Sequence, residues 1–70
     1  KMDGTIEARV IMVGDRFFSA YKNKRILIAW SLAGAKLFLD GSGAKPIEYY
    51  EDVLKKKGYK PERKLVRLVI

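Results

Sequence analysis

Arg25-Ile26-Leu27-Ile28-Ala29-Trp30-Ser31-Leu32-Ala33-Gly34-Ala35-Lys36-Leu37-Phe38-Leu39-Asp40 is the stretch on which the fold turns. With a period of two, Ile26, Ile28, Trp30 and Leu32 share one face of a strand over Arg25 to Leu32. Ala33-Gly34-Ala35 then makes a turn and Lys36 to Asp40 returns as a further strand. With the helical period, Ile26, Trp30, Ala33 and Leu37 fall at i, i+4, i+7 and i+11 and also make a stripe. The isoleucines near the start lose rotamer freedom in a helix and Gly34 weakens a helix interior, so strand–turn–strand is favoured. The helical alternative stays open on sequence alone. In the strand reading Trp30 is a core residue.

Upstream, Thr5 to Val13 places Ile6, Ala8, Val10 and Met12 on one strand face, with Thr5, Glu7, Arg9, Ile11 and Val13 on the other. The early alternation predicts a half-exposed strand, and the apolar end predicts burial on both sides. Gly14-Asp15 is a turn signal, weaker than Asp-Gly would be. Arg16 to Lys22, rich in aromatics, reads as a second strand, closed by Asn23-Lys24, where asparagine tolerates the left-handed conformation.

Downstream, Asp40 to Lys45 is a glycine-containing loop, and Pro46 suits the first position of a helix. Ile47 to Lys57 is the clearest helix in the chain. Ile47, Tyr50 and Leu54 form its apolar stripe, with Glu48, Glu51 and Asp52 towards the positive end of its dipole and Lys55, Lys56 and Lys57 at the negative end. The pairs Glu51–Lys55 and Asp52–Lys56 are expected at i, i+4 spacing. Gly58 reads as the C-terminal cap, Pro61 stops the helix resuming, and Lys64 to Ile70 is a closing strand. The expected architecture is one α+β domain spanning residues 1–70: a small antiparallel β-sheet (β-β-β-β-α-β) with one helix, about 46–57, packed on one face.

Ile11 to Val13, Ile26 to Ile28 and Val66 to Ile70 are apolar on both strand faces, and a single helix covers little area. The second sheet face therefore needs sheet curvature, a second copy or a protein partner. The abrupt end at Ile70 suggests that native residues follow it.

Composition narrows the chemistry. The chain has neither cysteine nor histidine, which removes disulfides, thiolate chemistry, the usual zinc sites and imidazole catalysis together. Glu48, Glu51 and Asp52 cluster on the helix without partners for hydrolysis or for a metal. No enzymatic activity, cofactor, metal or small-molecule substrate is expected. Glutamine is absent and Asn23 is the one asparagine beside abundant Lys, Arg and Glu, a pattern of thermophilic proteins. No apolar run approaches the ~20 residues of a membrane span, and Lys1-Met2 opens no signal peptide, so an intracellular, cytoplasmic protein is expected.

Charge is the main functional signal. Between Lys55 and Arg67, seven cations stand against Glu62, within a net charge of +7. Such density repels itself unless a polyanion or an acidic partner neutralises it. Lys55, Lys56, Lys57, Lys60, Arg63 and Lys64 suit phosphate contacts, and Tyr59 among them can stack on an unpaired base. Lys22, Lys24 and Arg25 make a second cluster at a hairpin flanked by Phe17, Phe18 and Tyr21, one of which is expected to be exposed. Lysines at a helix end also serve solubility and the dipole, so the triplet alone carries less weight than the whole set. The Gly41-to-Pro46 loop could meet an anion at the helix N-terminus. It lacks the ending of a P-loop, and the nearby acids disfavour a phosphate. The expectation is a non-enzymatic DNA- or RNA-binding protein, such as a chromatin or ribonucleoprotein component, using backbone contacts of low sequence specificity. The alternative is a protein–protein interaction module, a homodimer or accessory subunit of a larger complex.

Overall fold

Two hairpin turns of different chemistry set the first three strands. The structure, a computed structural model, describes residues 4–39 and 45–69. Strand β1 (Thr5–Val13) turns through Gly14-Asp15 into β2 (Arg16–Lys22), with Val13 opposite Arg16 and Met12 opposite Phe17. Gly14 takes the positive φ, 66°, that a two-residue loop led by glycine needs. Strand β2 turns through Asn23-Lys24 into β3 (Arg25–Ala29), and both loop residues have positive φ, 52° and 62°. Asparagine accepts that conformation readily; Lys24 occupies it against the clash of its own Cβ. Replacing Lys24 with glycine is expected to stabilise the domain by about 1 kcal/mol, or roughly 4–8 °C in Tm. Thermal unfolding followed by circular dichroism checks this.

After β3 the chain makes a single 3₁₀ turn, Leu32–Gly34, and returns. The helix α1 (Ile47–Lys56) and the strand β4 (Pro61–Val69) complete the domain. The sheet order is β3-β2-β1-β4, antiparallel throughout. This is the expected α+β class.

Strand β4 pairs with β1 along its whole length, from Thr5 opposite Val69 to Val13 opposite Pro61. By contrast β1 and β2 are paired only beside their turn. Two ribbons, β1–β4 and β2–β3, therefore splay from a shared corner. The segment expected as a fourth strand, Lys36 to Asp40, fills that opening instead of forming a ladder. The Lys36 amide donates to the Phe18 carbonyl at 2.9 Å, and two residues on Phe38 exchanges hydrogen bonds with Arg9, 3.0 and 2.8 Å. A segment that crosses from β2 to β1 within three residues cannot extend a ladder on either. Residues 26–39 are thus neither two full strands nor a helix, and Asp40 lies outside the described residues.

The helix closes the concave side. Opposed residues of a ladder share a face, so Ile11 and Val13 face the same way as Arg63 and Pro61. Ile11, Phe18, Ile47 and Leu54 make the core, with Val13, Tyr21, Ile26, Phe38 and Tyr50 packed around it. Phe18 and Phe38 each lie against the Tyr50 ring, at centroid distances of 5.3 and 5.5 Å. A bulge at Ser19 lets β2 contribute two aromatics to this side, because the pairing slips by one residue between Phe18 and Ala20. Without the bulge Phe18 and Tyr21 would face opposite ways. Val10 on the other face of β1 is also fully buried, so the apolar end of β1 is covered on both sides, as its composition implies.

The helix starts one residue later than the first position expected for Pro46, and it is closed by Gly58 as its sequence predicts. Pro46 is the N-cap, one residue before the helix. At the other end Gly58, at φ 92°, donates to the Lys55 carbonyl at 3.0 Å, and the Tyr59 amide donates to Leu54 at 2.9 Å. This is a Schellman closure, in which glycine at the left-handed position satisfies the last carbonyls. Strand β4 then begins at Pro61, three residues earlier than the Lys64 start expected from β propensity. An initial proline, with no amide to donate, is tolerated at that position.

Candidate nucleic-acid interface

The tight Lys22-to-Arg25 hairpin turn holds Lys22, Lys24 and Arg25 exposed at the tip of the β2–β3 ribbon. Lys55 and Lys56 occupy the last turn of α1, and Lys57 is its C-cap. These segments are 30 residues apart in sequence, yet the fold brings them together. The Lys57 Nζ lies 6.0 Å from the centroid of the Tyr21 ring, and Tyr21 immediately precedes Lys22. Tyr21 itself packs on the core, so both basic segments are fixed to the same rigid body. Tyr59 and Lys60 are exposed on the short connection that follows.

Arg63 and Lys64 are separated by the strand. Arg63 faces the helix, opposite Ile11, while Lys64 faces the other way, opposite Val10. Arg63 Nε donates to Glu51 Oε2 at 2.7 Å, and Nη2 donates to Glu51 Oε1 at 2.9 Å and to Glu48 Oε2 at 3.0 Å. This fork ties the helix to the edge strand with bidentate geometry. Glu51, with only 15% of its side chain exposed, takes Arg63 where Lys55 was expected as its partner. Asp52 and Lys56 form no salt bridge with each other; among the described residues the ion pairs are those of Arg63 and Arg67. Arg67 Nε meets Glu7 Oε2 across the ladder at 3.4 Å.

The Arg63 hydrogen bonds hold the Glu51 carboxyl below its ordinary value near 4.5, against an opposing effect of partial burial and with help from the Arg63 and Lys55 charges. The Arg63 pKa is raised in turn, first by its hydrogen bond to Glu51. Arg63 stays charged across the whole accessible pH range, so the pH dependence comes from Glu51. A lowered folded-state value means that the stabilisation is fully present above about pH 4.5 and is lost as pH falls through the folded value. In Arg63→Gln, Tm at pH 7 should fall below that of the parent chain, and the gap should narrow as pH falls below 4.5 and close once Glu51 is protonated in the folded parent as well. A gap that persists unchanged in acid would mean that Arg63 acts through packing instead.

The aromatics differ from expectation. Phe18 is buried, while Phe17 and Tyr21 are half-buried, so none of the three is an open platform. Trp30, expected in the core, is 75% exposed. The strand ends at Ala29, one residue short of it, so period-two burial does not extend to the indole. Its ring lies against the Arg16 guanidinium, with Cζ 3.4 Å from the ring centroid. Neither Arg16 nor Trp30 stood out in sequence as a site residue; nothing local links two residues 14 apart.

Among the described residues no cluster of acidic side chains could hold a metal ion, and no helix is long and apolar enough to cross a membrane. Most of the glycine loop, Gly41 to Ala44, lies outside the described residues. No family model matches the chain, and no curated protein or solved structure matches it.

Proposed function

We propose that the chain is a non-enzymatic nucleic-acid-binding protein that grips phosphates with Lys22, Lys24, Arg25, Lys55, Lys56 and Lys57, flanked by Tyr59 and Lys60. The approach of Lys57 to Tyr21 carries this reading, because it merges two basic segments into one surface at one end of the domain. Apart from Lys57 on Tyr21, these cations have no side-chain ion pair or hydrogen bond among the described residues, so their charge is available to a polyanion. Lys64 lies on the other face, and Arg63 serves the helix, so both stand outside the principal patch. Among the described residues the one α-helix packs its apolar stripe on the sheet, which fits backbone contacts of low sequence specificity.

Titrating labelled single-stranded and duplex oligonucleotides at increasing salt tests this directly. The expected result is binding at low salt with a steep negative dependence on salt concentration. Failure of both oligonucleotides to bind at low salt would sink the reading.

A second reading, a protein–protein module acting as homodimer or accessory subunit, is favoured by one observation. Strand β3 is an open sheet edge, and Leu27 and Ile28 on it are exposed. Strand edges with exposed apolar side chains are docking sites for other chains. Sedimentation across a range of concentrations checks for the homodimer; a monomer throughout removes it.

A further inference from the structure

We infer that Trp30 is a stacking platform for an unpaired nucleobase, with Arg16 beneath the indole as the cation that serves the adjoining phosphate. The inference rests on the nucleic-acid reading above and adds the class of ligand: single-stranded DNA or RNA. Three observations converge on it.

Trp30 is the one tryptophan of the chain and leaves most of its surface to solvent, 75%. Its ring is nevertheless held in place. Arg16 covers one face at van der Waals distance, and the 3₁₀ turn braces the backbone. A Cβ added at Gly34 would come within 2.7 Å of the Ala29 Cβ, so the turn lies directly on the end of β3. An indole immobilised before binding loses less side-chain freedom when a ligand stacks on it.

The chemistry around the ring then selects the ligand. Arg16 forms no ion pair among the described residues, so an apolar protein surface laid over Trp30 would desolvate an unneutralised charge, at substantial cost. A nucleotide offers what the pair lacks, a flat π-face for the indole and an anion for the guanidinium. Position agrees as well. Trp30 follows the end of β3 remote from Arg25, about 17 Å away at 3.3–3.4 Å per residue. Stacked nucleotides advance about 3.4 Å each, so about five of them reach from the basic patch to the indole.

The test combines two signals on the intact chain. Oligothymidylate and oligouridylate strands, and a duplex of the same length, carry a label for anisotropy, while the intrinsic fluorescence of Trp30 is followed on unlabelled strands. The expected result is quenching of Trp30 by the single strands with the same midpoint as the anisotropy change. Trp30→Ala should bind single strands roughly 5- to 150-fold more weakly, the loss of one base–aromatic stack. Its duplex binding and circular dichroism should be unchanged, and Trp30→Phe should recover part of the loss. Single strands that bind without quenching, with Trp30→Ala binding like the parent, overturn this inference and leave the nucleic-acid reading intact. Equal weakening on single strands and duplex also overturns it, since a base in a duplex is not free to stack. If no oligonucleotide binds at all, the broader reading fails and this one fails with it.

Discussion

Phe18→Ala is expected to remove about 3–5 kcal/mol of folding free energy, the usual range for a fully buried phenylalanine cut to alanine. For a chain of 70 residues the total is only roughly 4–10 kcal/mol at 0.05–0.15 kcal/mol per residue. Such a loss leaves the domain close to its unfolding midpoint or past it. The reason lies in where Phe18 sits. Its side chain is fully buried between the helix and the sheet, against Tyr50, and its carbonyl receives the Lys36 amide that anchors the crossing segment. Truncation opens a cavity at the junction of all these parts, and each is too short to collapse into it. Phe17, half-buried on the opposite side of the strand, provides the control; Phe17→Ala should cost less than half as much. Urea unfolding followed by the helical circular-dichroism signal measures both. Trp30 fluorescence is a poor reporter here, since the indole is largely exposed in the folded state. A Phe18→Ala loss no greater than that of Phe17→Ala would refute this account of the core.

Combined reversal of Lys24, Arg25 and Lys56 to glutamate should weaken single-strand binding by about 100-fold or more near 0.1 M salt. Each phosphate contact on a single strand adds about 0.7 to the slope of log K against log salt, so losing three contacts also flattens the slope by about 2. The three residues are exposed and form no salt bridge among the described residues, so the fold should survive with its circular dichroism unchanged. Arg63 is left out by design. Reversing it would set a carboxylate against Glu51 and Glu48, so lost binding could not be told from a displaced helix. Unchanged affinity in the triple variant would remove the merged basic patch as the binding surface. A drop in affinity with no change in salt slope would mean that these side chains act by something other than phosphate neutralisation.

The two predictions differ in how far each could be read from the chain alone. Phe18 against Phe17 was undecided in sequence, because adjacent strand residues face opposite ways and both are equally apolar. The bulge at Ser19 then puts Tyr21 on the same side as Phe18, which simple alternation would deny. The basic residues were visible as charge, and their division into useful and committed cations was not. Arg63 looks in sequence like any other member of the run from Lys55 to Arg67. Its removal from the phosphate-binding set follows from Glu51, twelve residues earlier, lying one turn of packing away across the helix–strand junction.

The same bulge decides which residue Trp30 meets. Counting back from the Asn23-Lys24 turn without a slip places Trp30 opposite Phe17, an apolar pair suited to a core. With one extra residue at Ser19 the count moves to Arg16, and the indole meets a guanidinium at the surface. The unpaired residue in β2 thus sets the neighbour of Trp30, and its place one residue past the end of β3 leaves the indole exposed.

What the sequence by itself determined was local. Glycine at position 14, asparagine at 23, proline at 46 and glycine at 58 mark turns and helix ends through the φ each one favours or forbids, and the structure obeys all four. The helix stripe, the first two strands and the excess of positive charge follow from residue types at neighbouring positions in the same way. Only the tertiary structure decided the rest: the splayed ribbons, the reduction of Lys36–Leu39 to one bridge, the capture of Arg63 and the meeting of Lys57 with Tyr21. Each depends on which distant surfaces find room against one another, and packing between remote residues leaves no period in a single chain from which to read it.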